Sequence, residues 1–129
     1  MNPVVFFGTS EFAVPALESL SKTGFQISAV VTQPDKPAER GLSLRASPVK
    51  TKALELGLRV VEPPTLKKPE AEALLKEFGV DIAIVVAYGK IIPQSVLDIF
   101  PRGVLNIHPS RLPKYRGPSP IQSAILNGD

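Results

Sequence analysis

Asn106 and His108 are the two side chains best suited to carry a reaction in the run Gly103-Val104-Leu105-Asn106-Ile107-His108. Apolar residues alternate with them. If the run is a strand, amide and imidazole face the same side, because strand side chains repeat every second residue. An amide N–H can donate to a developing negative charge, and an imidazole exchanges protons near neutrality. His108 is the only histidine of the chain. A lone histidine also serves as a satisfied core group, and that reading stands beside the chemical one. Pro109, Pro113, Pro118 and Pro120 then rule out a continuing strand. The chain therefore enters a stiff, basic loop where a doubly wound sheet exposes its site.

The elements that must hold this pair alternate along the chain. Val4 to Gly8 predicts a buried strand, and Ser10 predicts the cap of a helix to about Lys22, with Phe12, Ala13, Ala16, Leu17 and Leu20 as its core stripe. Gln26 to Gln33 predicts a second strand, followed by a long surface loop to about Ala46. Ser47-Pro48 opens a helix that stops near Gly57, and Leu58 to Val61 predicts a third strand. Pro69 begins a helix whose Leu74, Leu75 and Phe78 face the core. Val80 to Ala87 is apolar almost throughout, as a central parallel strand covered on both faces must be. Tyr88-Gly89 closes it. A short helix from Pro93 to Phe100, the strand ending at His108 and a last helix from about Pro120 to Leu126 complete the series. The fold expected is α/β, a doubly wound and mostly parallel sheet of about five strands.

Composition narrows the chemistry. With 129 residues, 43% of them hydrophobic, the chain is long enough for one domain with a real core. The absence of cysteine excludes a disulfide framework, a thiol nucleophile and a thiolate metal site, and a single histidine argues against a histidine-rich metal centre. No metal is expected. The first turn, Phe7-Gly8-Thr9-Ser10-Glu11-Phe12, has one glycine and lacks the dinucleotide fingerprint. The amino terminus lacks a basic leader, and the longest apolar run, Ile82 to Tyr88, is too short for a bilayer. A cytoplasmic protein, with no membrane partner, is expected.

The net charge of +3 is unevenly spread. Lys36, Arg40, Arg45, Lys50 and Lys52 face only Asp35 and Glu39 between residues 34 and 52, and Arg111, Lys114 and Arg116 face no acid between 109 and 118. Two basic loops on an otherwise acidic body suit an anionic partner, although solvated loops carry such charge by chance as well.

The run from Asn106 to Gly117, continued by Pro120-Ile121-Gln122, closely resembles the active-site signature of the folate-dependent formyltransferases. Gly8-Thr9 with Phe12-Ala13, the segment Gln33 to Ala38 with Arg40-Gly41 and Ser47 to Lys50, and Ala87 to Pro93 agree with it. Within that family the 33–50 loop resembles the branch that formylates methionyl initiator tRNA. The resemblance implies a Rossmann-like formyltransferase domain and 10-formyltetrahydrofolate as donor. It makes Asn106 and His108 catalytic, Asn106 as donor to the oxyanion and His108 as stabiliser of that oxygen or carrier of the amine proton. It places Ser110, Arg111, Leu112 and Pro113, with Ala87, Tyr88, Gly89 and Ile91, at the folate, and Arg40, Arg45 and Lys50 at tRNA phosphates. Arg111 and Pro118-Ser119 depart from the commoner family loop.

The resemblance further implies that residues 1–129 are the amino-terminal part of the catalytic domain, incomplete at the carboxy end. The family's catalytic aspartate and its carboxy-terminal tRNA-binding domain would lie beyond Asp129, and the fragment is expected to be a monomer whose activity alone is in question. Two other readings stay open: a formyltransferase acting on a sugar nucleotide or another small molecule, and a non-catalytic nucleotide- or RNA-binding Rossmann-like module.

Overall fold

A computed structural model describes residues 2–37 and 44–107. Five parallel strands form one sheet in the order β5-β2-β1-β6-β7. They are β1 (Asn2–Gly8), β2 (Phe25–Val31), β5 (Val60–Val61), β6 (Ile82–Val86) and β7 (Gly103–Ile107). Because all five run the same way, their carboxyl ends share one rim. The expected doubly wound α/β sheet is present.

Two apolar layers cover the sheet. Helices α1 (Val14–Lys22) and α2 (Pro48–Glu55) bury Ala16, Leu17, Leu20, Val49 and Ala53 on one face, against Val4, Phe6, Ile84, Val86, Leu105 and Ile107. Helices α3 (Pro69–Lys76) and α4 (Gln94–Leu97) bury Ala71, Leu75 and Val96 on the other, with Val5, Phe7, Ala83 and Val85. Strict alternation fails in β2, where Ile27 and Val30 share a layer. The cause is a register shift: Val4 pairs with Ile27 but Val5 with Ala29, which leaves Ser28 as an extra residue and turns the strand over.

Several boundaries differ from the sequence reading for local reasons. Ser10 caps a 3-10 turn, Glu11–Ala13, and α1 starts only at Val14. The tighter winding carries Phe12 off the buried stripe, and it is 62% exposed. Leu58 donates its N–H to Ala53 O at 2.9 Å and so finishes α2 rather than starting β5. Leu74 and Phe78 are only half-buried, the latter under the Arg59 guanidinium, 4.8 Å from its ring centre. The long loop after β2 is not shapeless at its base: β3 (Lys36–Pro37) pairs antiparallel with β4 (Leu44–Arg45). The helix expected at 120–126 lies outside the described residues.

Candidate active site

Strands β6 and β7 run side by side, with Val85 opposite Asn106 and Val86 opposite Ile107. Leu105 and Ile107 bury into the layer under α1 and α2, so Asn106 takes the opposite face, where it is exposed. Among the described residues β7 lies at the edge of the sheet and Asn106 is its last exposed position, where a polar side chain can meet a ligand. Ile107, the last described residue of β7, pairs with Val86, the neighbour of Ala87. His108, and with it Ser110, Arg111, Leu112 and Pro113, lies outside the described residues.

The end of β6 is the most constrained backbone of the rim. Ala87 has φ +49°, a left-handed conformation that reverses the chain, and its carbonyl accepts from Thr9 N at 3.1 Å and Ser10 N at 3.3 Å. The next carbonyl, of Tyr88, accepts from Thr9 Oγ1 and from Gln33 Nε2, both at 2.7 Å. Gln33 N in turn donates to Thr9 Oγ1 at 3.3 Å. The ends of β1, β2 and β6 are thereby tied in one polar knot. Gly89, at φ +90°, sits against it, and a Cβ there would run into the Gln33 amide. The dihedral calls for glycine, and a side chain there would also displace the Gln33 amide.

The ring of Tyr88 points into the core and not to the rim. It packs edge-on against Phe7, centroids 5.5 Å apart, and its hydroxyl is buried without a partner among the described residues. Burial pushes the phenol up to about 12, so it is no acid at neutral pH. What Tyr88 offers the site is its main chain. Ile91, 84% exposed just beyond the turn, offers apolar surface, and Lys90 Nζ donates to Pro64 O at 2.7 Å, which braces the turn against the segment before α3.

The basic loop carries less free charge than its composition suggests. Lys50 Nζ lies 2.9 Å from Asp35 Oδ1 and 3.2 Å from Glu62 Oε2. Hydrogen bonding to Asp35 first, and to Glu62 second, raises the Lys50 pKa, and the bond to Lys50 lowers that of Asp35. Lys52 similarly meets Glu55 at 3.1 Å and Glu18 at 3.4 Å. Arg45 is exposed at the end of β4, whereas Arg40 lies outside the described residues. No group of three acidic or histidine side chains suited to a metal occurs among the described residues.

In the sequence Thr9 and Gln33 stand only as parts of a motif, yet a signal for them is legible. A threonine and an amide come immediately beyond apolar strands, at the rim where a parallel sheet carries its sites.

The fold is that of a doubly wound α/β protein, a class whose strand ends are where ligands bind. The chain belongs to the formyl transferase family, whose model, described as "Formyl transferase", matches residues 1–129. It is 55% identical over 126 residues to the methionyl-tRNA formyltransferase of Dehalococcoides mccartyi (strain CBDB1), covering 98% of this chain and 40% of that protein. The methionyl-tRNA formyltransferase of Symbiobacterium thermophilum is 51% identical over 129 residues, with 100% and 40% covered. The chain thus spans about 40% of the length of these curated relatives. Among solved structures it is similar to glycinamide ribonucleotide transformylase 1 from Geobacillus kaustophilus, with a TM-score of 0.62 and 22% identity over 100% of this chain and 69% of that one. That likeness bears on the fold.

Proposed function

We propose that this chain is the amino-terminal part of the catalytic domain of an enzyme that transfers a formyl group from 10-formyltetrahydrofolate to the amino group of methionyl initiator tRNA. The observation that carries the reading is the exposed Asn106 on β7 beside the reversed turn at Ala87, in a chain this similar to methionyl-tRNA formyltransferases. In the protein as a whole, a carboxy-terminal domain would bind tRNA. The enzyme would work in the cytoplasm as a monomer. Among the described residues no helix is long and apolar enough to cross a membrane.

The donor supplies an activated formyl carbon, and the chemistry needs no metal. When the amine adds to that carbon, the carbonyl oxygen gains negative charge. Asn106 donates its amide N–H to this oxygen, His108 stabilises it or carries the proton leaving the amine, and collapse of the tetrahedral intermediate breaks the bond from the formyl carbon to the donor's N10, which takes up a proton as tetrahydrofolate leaves. Ala87, Tyr88 and Gly89 hold the folate through the shape and main chain of their turn and Ile91 through its apolar surface, and Ser110, Arg111, Leu112 and Pro113 add further contacts. The rim fits such a ligand: Gly89 is exposed, and Ile91 lies beside it as an open apolar face for a flat ring.

Arg40 and Arg45 meet acceptor-stem phosphates. Lys50, paired with Asp35 and Glu62, contributes by anchoring the base of that loop. Incubating the intact protein with labelled 10-formyltetrahydrofolate and methionyl initiator tRNA tests the reading. Formylmethionyl-tRNA is expected. Formylation of an amino sugar nucleotide but not of the tRNA would overturn it.

A further inference from the structure

We propose that Gln33 is a positioning residue for the formyl-donor turn, holding the Tyr88-Gly89 peptide in the orientation that presents Gly89 N–H to the ligand. The inference rests on the donor role proposed for residues 87–91. Gln33 is buried on a residue that follows an apolar strand, and nothing in core packing calls for an amide there. Its Nε2 donates to Tyr88 O at 2.7 Å, and its own N–H meets Thr9 Oγ1, which donates to the same carbonyl. Two donors therefore fix the direction of one C=O.

A trans peptide places C=O and the following N–H on opposite sides. Fixing Tyr88 O consequently aims Gly89 N–H away from Gln33, and among the described residues that N–H meets no acceptor. An oriented N–H on an exposed residue, with no acceptor among the described residues, is what an acceptor atom on a planar heterocycle can use. Gly89 is bound to the same arrangement from the other side, since any Cβ would strike the Gln33 amide.

Gln33→Leu keeps much of the bulk and removes the donor, and Gln33→Asn keeps the polarity but falls one methylene short. In the intact protein without ligand, hydrogen exchange at the Thr9, Ser10 and Gln33 amides, which donate within the knot, should quicken in both variants while β6 amides keep their protection. Affinity for tetrahydrofolate, read by fluorescence titration, should fall about ten-fold, the usual consequence of losing one ordered hydrogen bond. Gly89→Ala should give the same reduction, and combining it with Gln33→Leu should add little, because both act on one interaction. Its dihedral strain is common to both backgrounds and cancels in that comparison.

Unchanged exchange at Thr9, Ser10 and Gln33, or faster exchange with unchanged affinity, would overturn the role. So would a drop in affinity that merely tracks the drop in thermal stability. Failure of the unsubstituted protein to bind tetrahydrofolate would instead remove the donor reading itself, and this inference with it, while the exchange experiment would still report whether Gln33 clamps the turn.

Discussion

Thr32 and Ser47 share a buried hydrogen bond, 2.8 Å between their hydroxyl oxygens, that closes the base of the basic loop. Thr32 follows β2 and Ser47 caps α2, where its Oγ also accepts from Lys50 N at 3.0 Å. One hydroxyl thus ends the loop and starts the helix. Ser47→Ala should cost roughly 2 kcal/mol, since it removes a cap and strands a buried hydroxyl, and Thr32→Val about 1 kcal/mol, since the cap survives. Urea denaturation of the two variants checks both size and order.

Asn106→Ala in the intact enzyme should lower turnover about 10²- to 10³-fold, equivalent to roughly 2.7 to 4 kcal/mol of transition-state stabilisation. Stability should hardly move, because the side chain is exposed and Leu105 and Ile107 do the packing. Steady-state kinetics beside a thermal melt separates the two effects. A variant that melts earlier but turns over normally would make Asn106 structural.

Neutralising Arg40 and Arg45 should weaken tRNA binding and flatten its dependence on salt, by about one condensed counterion for each phosphate no longer neutralised. Lys50→Met should leave the salt slope nearly unchanged, because its charge is already met by Asp35 and Glu62. Titrations at several salt concentrations decide between them. An equal flattening in Lys50→Met would mean that its ammonium reaches phosphate after all.

The same ion pair predicts a pH signature. Asp35 is depressed below its ordinary 3.8, so its stabilisation is present above that value and fades as pH falls through the lowered pKa. Lys50 is raised above 10.5, so its share is present below that and fades as pH rises through the raised pKa. The stability gap between the native chain and Lys50→Met should therefore be widest at intermediate pH and close at both extremes. Denaturation midpoints measured across that range test it. A gap independent of pH would assign Lys50 a packing role through its methylene stem.

Phe7→Ala should destabilise by about 3 to 5 kcal/mol, as large-to-small changes in packed cores do. It also removes edge-on packing against both Tyr88 and Phe100, at 5.5 and 6.2 Å. Because Tyr88 sits under the donor turn, tetrahydrofolate affinity should fall in the folded fraction as well. Normal affinity in that fraction would show that the turn is held by its main chain alone.

Much of this arrangement is legible in the residues, and the differences have physical causes. The apolar run 82–86 and the alternation 103–107 identify which strands are central and which face Asn106 takes, because periodicity reports burial directly. Phe12 reads as a core residue because a 3-10 turn and an α-helix share the same cap residue and differ only in winding. The β3–β4 pairing is two residues long on each side, too short for any period. The masking of Lys50 depends on Glu62, which comes from beyond another helix, and composition along the chain cannot bring those charges together. Gln33 is visible as an odd polar residue, but its partner, a carbonyl, belongs to every residue and marks none in sequence.

The left-handed backbone at Ala87 has a consequence for how such a protein changes under selection. An alanine held at positive φ carries about 1 kcal/mol or more of strain that glycine would relieve. A screen for heat resistance alone would thus favour Ala87→Gly. The same exchange widens the conformations open to the turn, so a screen for turnover would favour alanine, and the two pressures would pull this single position in opposite directions.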